Sequence, residues 1–302
     1  MPPKRSGTTS DLPYAGIAVA IIGVSFASIF IRWSDSPPLV IAAYRMLLVS
    51  LILLPFALHS SRRELTEMTR RDLCVLILIG AILAVHFYTY ISAVKMTTVA
   101  SAILLATCHP MIVGLVSVLV LKESSRTIGV GIAVGMSGLL FITLGGYRGG
   151  NIDGDIIALI SGVFFSAYLL LGRVLRQRIS LITYVFVVFT SCAGVLLAAA
   201  VITGQVMWPM PASELLIFLG LAVISTIFGH LLFNFSLRYL TASVISISYL
   251  GEPVGAILLA ALLLDEIPSV YVLIGGAMIM LGILFTARTE RSISGGGRRQ
   301  GP

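Results

Sequence analysis

A chain of 302 residues that is 58% hydrophobic and 11% charged, with a mean hydropathy of +1.04, cannot bury its apolar surface in a soluble core. The bilayer must cover it. The net charge of +7 is scattered over the ends of apolar runs, which suits an anionic lipid surface and argues against a nucleic-acid groove.

Ten apolar runs are long enough, or nearly so, to cross roughly 30 Å of hydrocarbon as helices. They lie at about 14–31, 38–58, 73–93, 98–121, 127–144, 156–175, 181–202, 215–236, 241–264 and 271–286. Lys4 and Arg5 precede the first, as in a signal peptide, but an A-x-A cleavage site is missing, so the run reads as a retained helix. Arg45 stands alone early in the second run, and His86 and Tyr90 lie one turn apart in the third. His109-Pro110 interrupts the fourth, which ends at Lys122-Glu123; Gly131 and Gly138 follow in the fifth. The sixth carries Tyr168, the eighth His230 and Asn234, and the ninth Tyr249 and Glu252-Pro253 ahead of Asp265-Glu266. Gly275 and Gly282 repeat the glycine pair in the tenth. Cys74, Cys108 and Cys192 have no metal-binding or CxxC spacing and read as packing thiols. No cofactor or metal site is expected.

The chain therefore says one thing twice. A proline followed thirteen residues later by an acidic residue, then by two glycines seven apart, occurs in each half. Helix-breaking positions in matching places of a duplicated apolar chain are the mark of a secondary transporter. The expected organisation is a short tail over 1–13, a five-helix repeat over 14–144, a linker over 145–155, a second repeat over 156–286 and a disordered basic tail over 287–302.

Lys and Arg set the topology. With the N-terminus in the cytoplasm, sixteen fall in inside segments and three in outside ones, with Arg45 inside a span. Both termini are then cytoplasmic, in the inner (plasma) membrane. Five spans per half is an odd number, so the second repeat enters inverted. The expected fold is an all-α integral membrane protein, with ten transmembrane helices as two inverted five-helix repeats around a central cavity.

Ionisable residues in hydrocarbon are costly and usually face a cavity or a partner. Glu252, the one acidic residue well inside a span, sits before Pro253, where freed carbonyls and a carboxylate share one depth. It either binds a cationic group or a proton, or it braces the kink. His109 occupies the matching place before Pro110 and reads as a cavity residue or a packed histidine. Pro110 and Pro253 are candidate hinges. The pairs His86/Tyr90 and His230/Asn234, each four apart, present one helix face, either to the cavity or to interhelical hydrogen bonds. Tyr249 and Tyr168 are candidate aromatic walls. Arg45 either attracts a substrate carboxylate or snorkels to the outer surface, and its place within two turns of Pro38 favours snorkelling. Gly131-x-x-x-Gly135 reads as helix packing in a monomer, with dimerisation the lesser option.

At His109-Pro110 with Glu123, at Glu252-Pro253-Val254 with Glu266, and at the paired glycines, the chain resembles the drug/metabolite transporter superfamily and its ten-helix EamA-type exporters. Arg45 fits that pattern; the tryptophan common near the start of each half is absent. The resemblance implies a carrier that exports a small metabolite such as an amino acid, with a proton as a candidate coupling ion. A channel or an intramembrane enzyme is the alternative. The chain has no HExxH or GxSxG, no Walker A sequence and no ring of charge.

Overall fold

The computed structural model describes residues 11–97, 99–116, 126–146, 151–263 and 270–296, and these are helical with short connections. In chain order the elements are α1 (Leu12–Trp33, with a turn at Phe26), α2 (Pro38–Ser60), the short α3 (Arg62–Glu67) and α4 (Arg70–Met96). There follow α5 (Val99–Ala106), α6 (His109–Val116), α7 (Arg126–Gly146), α8 (Ile152–Leu175) and α9 (Leu181–Ile202). The last are α10 (Ala212–Ser236), α11 (Ala242–Ser248), α12 (Gly251–Leu263) and α13 (Val270–Gly296).

Local chemistry explains the starts. Thr69, Asn151, Ser180 and Thr241 each accept a backbone N–H of the following turn through the side chain, satisfying groups the helix itself leaves unpaired. Pro38 opens α2 where its missing N–H does no harm. Among the described residues six helices are long and apolar enough to cross a membrane: α1, α2, α4, α8, α9 and α10. Shorter apolar stretches run over Gly129–Phe141 in α7 and Ile274–Phe285 in α13.

The fourth and ninth apolar runs are each two short helices in succession. One chain turns at Thr107-Cys108, just before His109-Pro110, and the other at Tyr249-Leu250, just before Glu252-Pro253. A proline in a first helical turn costs nothing there and cannot accept the preceding turn into one continuous helix.

Packing follows the glycines. α7 lies along α13, where a Cβ on Gly138 would fall 2.5 Å from the carbonyl oxygen of Gly275, and one on Gly282 would fall 2.6 Å from that of Gly131. The duplicated glycine pairs interlock, each using one member to admit the backbone of the other helix. Gly135 also faces inward, against Leu250 and Ile247, so Gly131 and Gly135 serve packing within the chain. Elsewhere α4 packs on α8 and α9, α2 on α9, and α1 on α10.

Two boundaries differ from the sequence reading. α13 continues past residue 286 to Gly296, so 287–296 is helix where a disordered tail was expected. Ala287-Arg288-Thr289-Glu290-Arg291 ends the apolar run but contains no helix breaker, and polarity alone does not stop a helix. Likewise α8 begins at Ile152, inside the expected linker, because Asn151 caps it. Lys122-Glu123, Asp265-Glu266 and the end segments 1–10 and 297–302 lie outside the described residues.

Candidate functional site

The helix breaks bring their polar residues to a common centre. A cavity of about 30 Å³, room for a water or two, lies among α1, α2, α4, α5, α6, α8, α10 and α12. Its wall includes Arg45, His86, Tyr90, His109, His230, Tyr249 and Glu252, seven of the residues singled out from sequence. A larger solute enters only when the surrounding helices part.

Arg45 is 1% exposed, so the snorkelling reading is overturned: the side chain turns inward, away from the helix end at Pro38. Two groups hold it there. Its Nε donates to Thr226 Oγ1 at 2.8 Å, and its guanidinium stands 4.3 Å from the centre of the Phe87 ring, a cation–π contact. Its Nη2 is buried and has no hydrogen-bond partner among the described residues. A guanidinium N–H in that state is an open donor facing the cavity.

Glu252 is held differently. Tyr90 Oη donates to its Oε1 at 3.0 Å, and Ser25 Oγ donates to its backbone carbonyl at 3.3 Å. The two charges thus line one cavity, each with its own neutral partners.

Around them lies an aromatic and imidazole cluster. Phe165 sits at its middle, with ring centres 4.6 Å from His86, 4.9 Å from His109, 4.8 Å from Tyr249 and 6.0 Å from His230. Each histidine is fixed through one ring nitrogen: His86 Nδ1 contacts Ser161 Oγ at 2.9 Å, His109 Nδ1 contacts Ser246 Oγ at 2.7 Å, and His230 Nδ1 contacts Tyr249 Oη at 3.2 Å. Asn234 and Tyr168 stand behind this wall: Asn234 Nδ2 donates to Tyr168 Oη at 2.5 Å and to the His230 carbonyl at 2.7 Å. They do not line the cavity. Pro110 and Pro253 are buried at the two breaks and also stay off the cavity wall.

The backbone contributes as well. Leu221–Leu231 within α10 is wound as a π-helix, whose wider turn lets Thr226 Oγ1 reach the Leu221 carbonyl five residues back while accepting from Arg45. α1 passes close against that segment: a Cβ on Gly23 would fall 2.7 Å from the carbonyl of Ile224.

Sequence reasoning missed Phe165, Phe87 and Thr226. Phe165 shares a helix face with Ser161 and Tyr168, four and three positions away, and that polar stripe was the available signal. Phe87 and Thr226 carry no signal of their own in an apolar run.

The same family model, the EamA-like transporter family, matches the chain twice, over residues 12–144 and 152–288. An uncharacterized transporter of Archaeoglobus fulgidus is 26% identical over 280 residues, covering 91% of this chain and 96% of that protein. The uncharacterized transporter YdfC of Bacillus subtilis is 26% identical over 252 residues, 82% of this chain and 80% of its own. A solved crystal structure superposes with a TM-score of 0.76 at 20% identity, covering 95% of this chain and 99% of the other, which supports the fold alone. With the family model spanning nearly its whole length in two copies, the chain belongs to the EamA-like transporter family of the drug/metabolite transporter superfamily.

Proposed function

We propose that this transporter exports small zwitterionic metabolites of the amino-acid class by alternating access. The supporting observation is a single one: an arginine with an open N–H and a carboxylate line one cavity, each hydrogen-bonded to neutral groups, with no ion pair between them among the described residues. A zwitterion supplies a carboxylate for Arg45 and an ammonium group for Glu252. Phe165, Phe87, Tyr90 and Tyr249 offer apolar faces to the rest of the solute.

In this reading ten spans form two inverted five-helix repeats, with both termini in the cytoplasm of a cell whose inner membrane holds the protein. The positive-inside bias and the interlocked glycine pairs of α7 and α13 favour it. The breaks ahead of Pro110 and Pro253 are its bending points, and the protein works as a monomer. Glu252 exchanges substrate ammonium for a proton, so that the empty carrier returns protonated. Counterflow of a panel of radiolabelled amino acids and other metabolites in proteoliposomes tests the proposal. Saturable counterflow of an amino acid is expected; counterflow confined to solutes lacking either charge contradicts it.

A further inference from the structure

Two carboxylates far from the cavity make the same three hydrogen bonds at opposite ends of one helix pair. Glu64, on α3, accepts the backbone N–H of Ser180 at 2.9 Å, the Ser180 hydroxyl, and the Thr183 hydroxyl at 2.5 Å. Glu214, in the first turn of α10, accepts the backbone N–H of Asp35 at 2.9 Å and the hydroxyls of Ser34 and Ser36 at 2.5 and 2.7 Å. One backbone donor and two hydroxyls are used each time.

The placement is reciprocal. Ser180 caps α9, and Glu64 follows the C-terminus of α2; Ser36 precedes α2, and Glu214 follows the C-terminus of α9. α2 and α9 pack on one another and run antiparallel, because Tyr44 near the start of α2 donates its hydroxyl to the carbonyl of Met207 beyond the end of α9. Further bonds reinforce each end: Lys95 Nζ reaches the Ser34 carbonyl at 2.6 Å, and Arg178 pairs with Asp72 at 2.6 Å. Charge-assisted bonds to a carboxylate are about twice as strong as neutral ones.

We infer that the α2–α9 pair is the stationary frame of the carrier, and that Glu64 and Glu214 are positioning residues that staple its two ends throughout the transport cycle. A contact that acts as a gate must part whenever its side opens, whereas a frame contact stays made in every state. Both staples join a pair of helices that also pack on one another between their ends. By contrast, the cavity's carboxylate sits on α12, just beyond a helix break, and is fastened by one side-chain bond from Tyr90. Arg45 belongs to the frame and Glu252 to a moving part, so a bound zwitterion bridges what stays and what travels. This inference rests on the alternating-access reading above.

The test uses the full-length protein in lipid with Cys74, Cys108 and Cys192 replaced. Spin labels at the exposed positions Leu51 on α2 and Val195 on α9 report the frame; labels at Leu51 and at exposed Leu262 on α12 report the moving part. The inference expects one narrow distance distribution for the first pair and a broad or two-peaked one for the second. A first pair as broad as the second overturns it, whatever solute the protein carries. In parallel, Glu64→Cys with Ser180→Cys, and Ser36→Cys with Glu214→Cys, are bridged by a short bifunctional thiol reagent. Bridged protein should exchange solute within about twofold of its unbridged control. Loss of exchange on bridging, in protein that exchanges before bridging, shows a gate and overturns the frame. Protein that exchanges no amino acid even unbridged counts against the substrate reading, and the distance pairs then decide the frame.

Discussion

Arg45 lines the cavity with its Nη2 group unpaired among the described residues, and the substitutions at this position separate charge from geometry. Lysine keeps the charge but cannot keep both the Thr226 bond and the contact with the Phe87 ring while offering a further donor. Arg45→Lys is therefore expected to weaken amino-acid affinity by about tenfold to a hundredfold, one to three kcal/mol for a lost charged hydrogen bond, measured as the half-saturation of counterflow. Tyr90→Phe, which frees Glu252 of its one side-chain donor, should change the pH profile of exchange with little effect on folding. Glu64 gives a pH test of stability. Partial burial pushes its carboxyl up, but the bonds from Ser180 and Thr183 and the nearby Arg176 outweigh burial and hold it below its ordinary value of 4.5. A depressed carboxyl contributes stability that is complete above its unfolded value and is lost as pH falls through the folded one. Glu64→Gln should thus be less stable than the parent at neutral pH, by about 1–2 kcal/mol, with the gap closing below pH of about 4. Equal melting curves at neutral pH contradict the staple's role in stability. At this scale the sequence exposes costly residues and hides cheap ones. Glu252 and His109 stood out because a polar group in an apolar run needs a reason, and so did Arg45, although its reading as a snorkelling side chain was overturned; Phe165 did not, since a phenylalanine facing a cavity and one facing lipid look alike in sequence.

The helix pair α7 and α13 depends on glycine at the two places where backbones nearly touch. Gly138→Ala puts a methyl group against the Gly275 carbonyl, which cannot move aside as a side chain can, and a loss of about 1–3 kcal/mol is expected. Gly129→Ala, where a Cβ meets nothing within 4 Å, should be neutral or stabilising by up to about 1 kcal/mol. Thermal unfolding in detergent distinguishes the two variants, and equal losses would falsify the packing argument. Pro110→Ala and Pro253→Ala should leave folded protein that exchanges more slowly, because each lets its broken helix rejoin; wild-type rates in both variants make the prolines packing features only. The breaks were readable because proline acts locally. The π-wound segment of α10 was not, since the groups that meet it, Gly23 on α1 and Arg45 on α2, are distant in the chain. Nor were the staples: Glu64 and Glu214 lie between apolar runs, where a carboxylate ordinarily meets water.

For the whole molecule, duplication carried most of the information. Repeated prolines at one spacing anticipated which helices would break, because that constraint comes from backbone geometry and recurs wherever the backbone does, whereas the glycine pairs marked the repeat without showing that their two helices would interlock. Helix ends were less legible: apolarity marks what lipid covers, and α13 and α8 extend beyond it. In the proposed cycle, opposite charges on the frame and on a moving helix recognise the two ends of a zwitterion. Counterflow of one amino acid, compared in the same proteoliposomes with its decarboxylated amine and its deaminated acid, tests it most directly. Saturable exchange of the amino acid alone is expected, with Arg45→Ala narrowing the difference from the amine and Glu252→Gln narrowing the difference from the acid. Equal exchange of all three by the unaltered protein, or a preference unmoved by both substitutions, would contradict it.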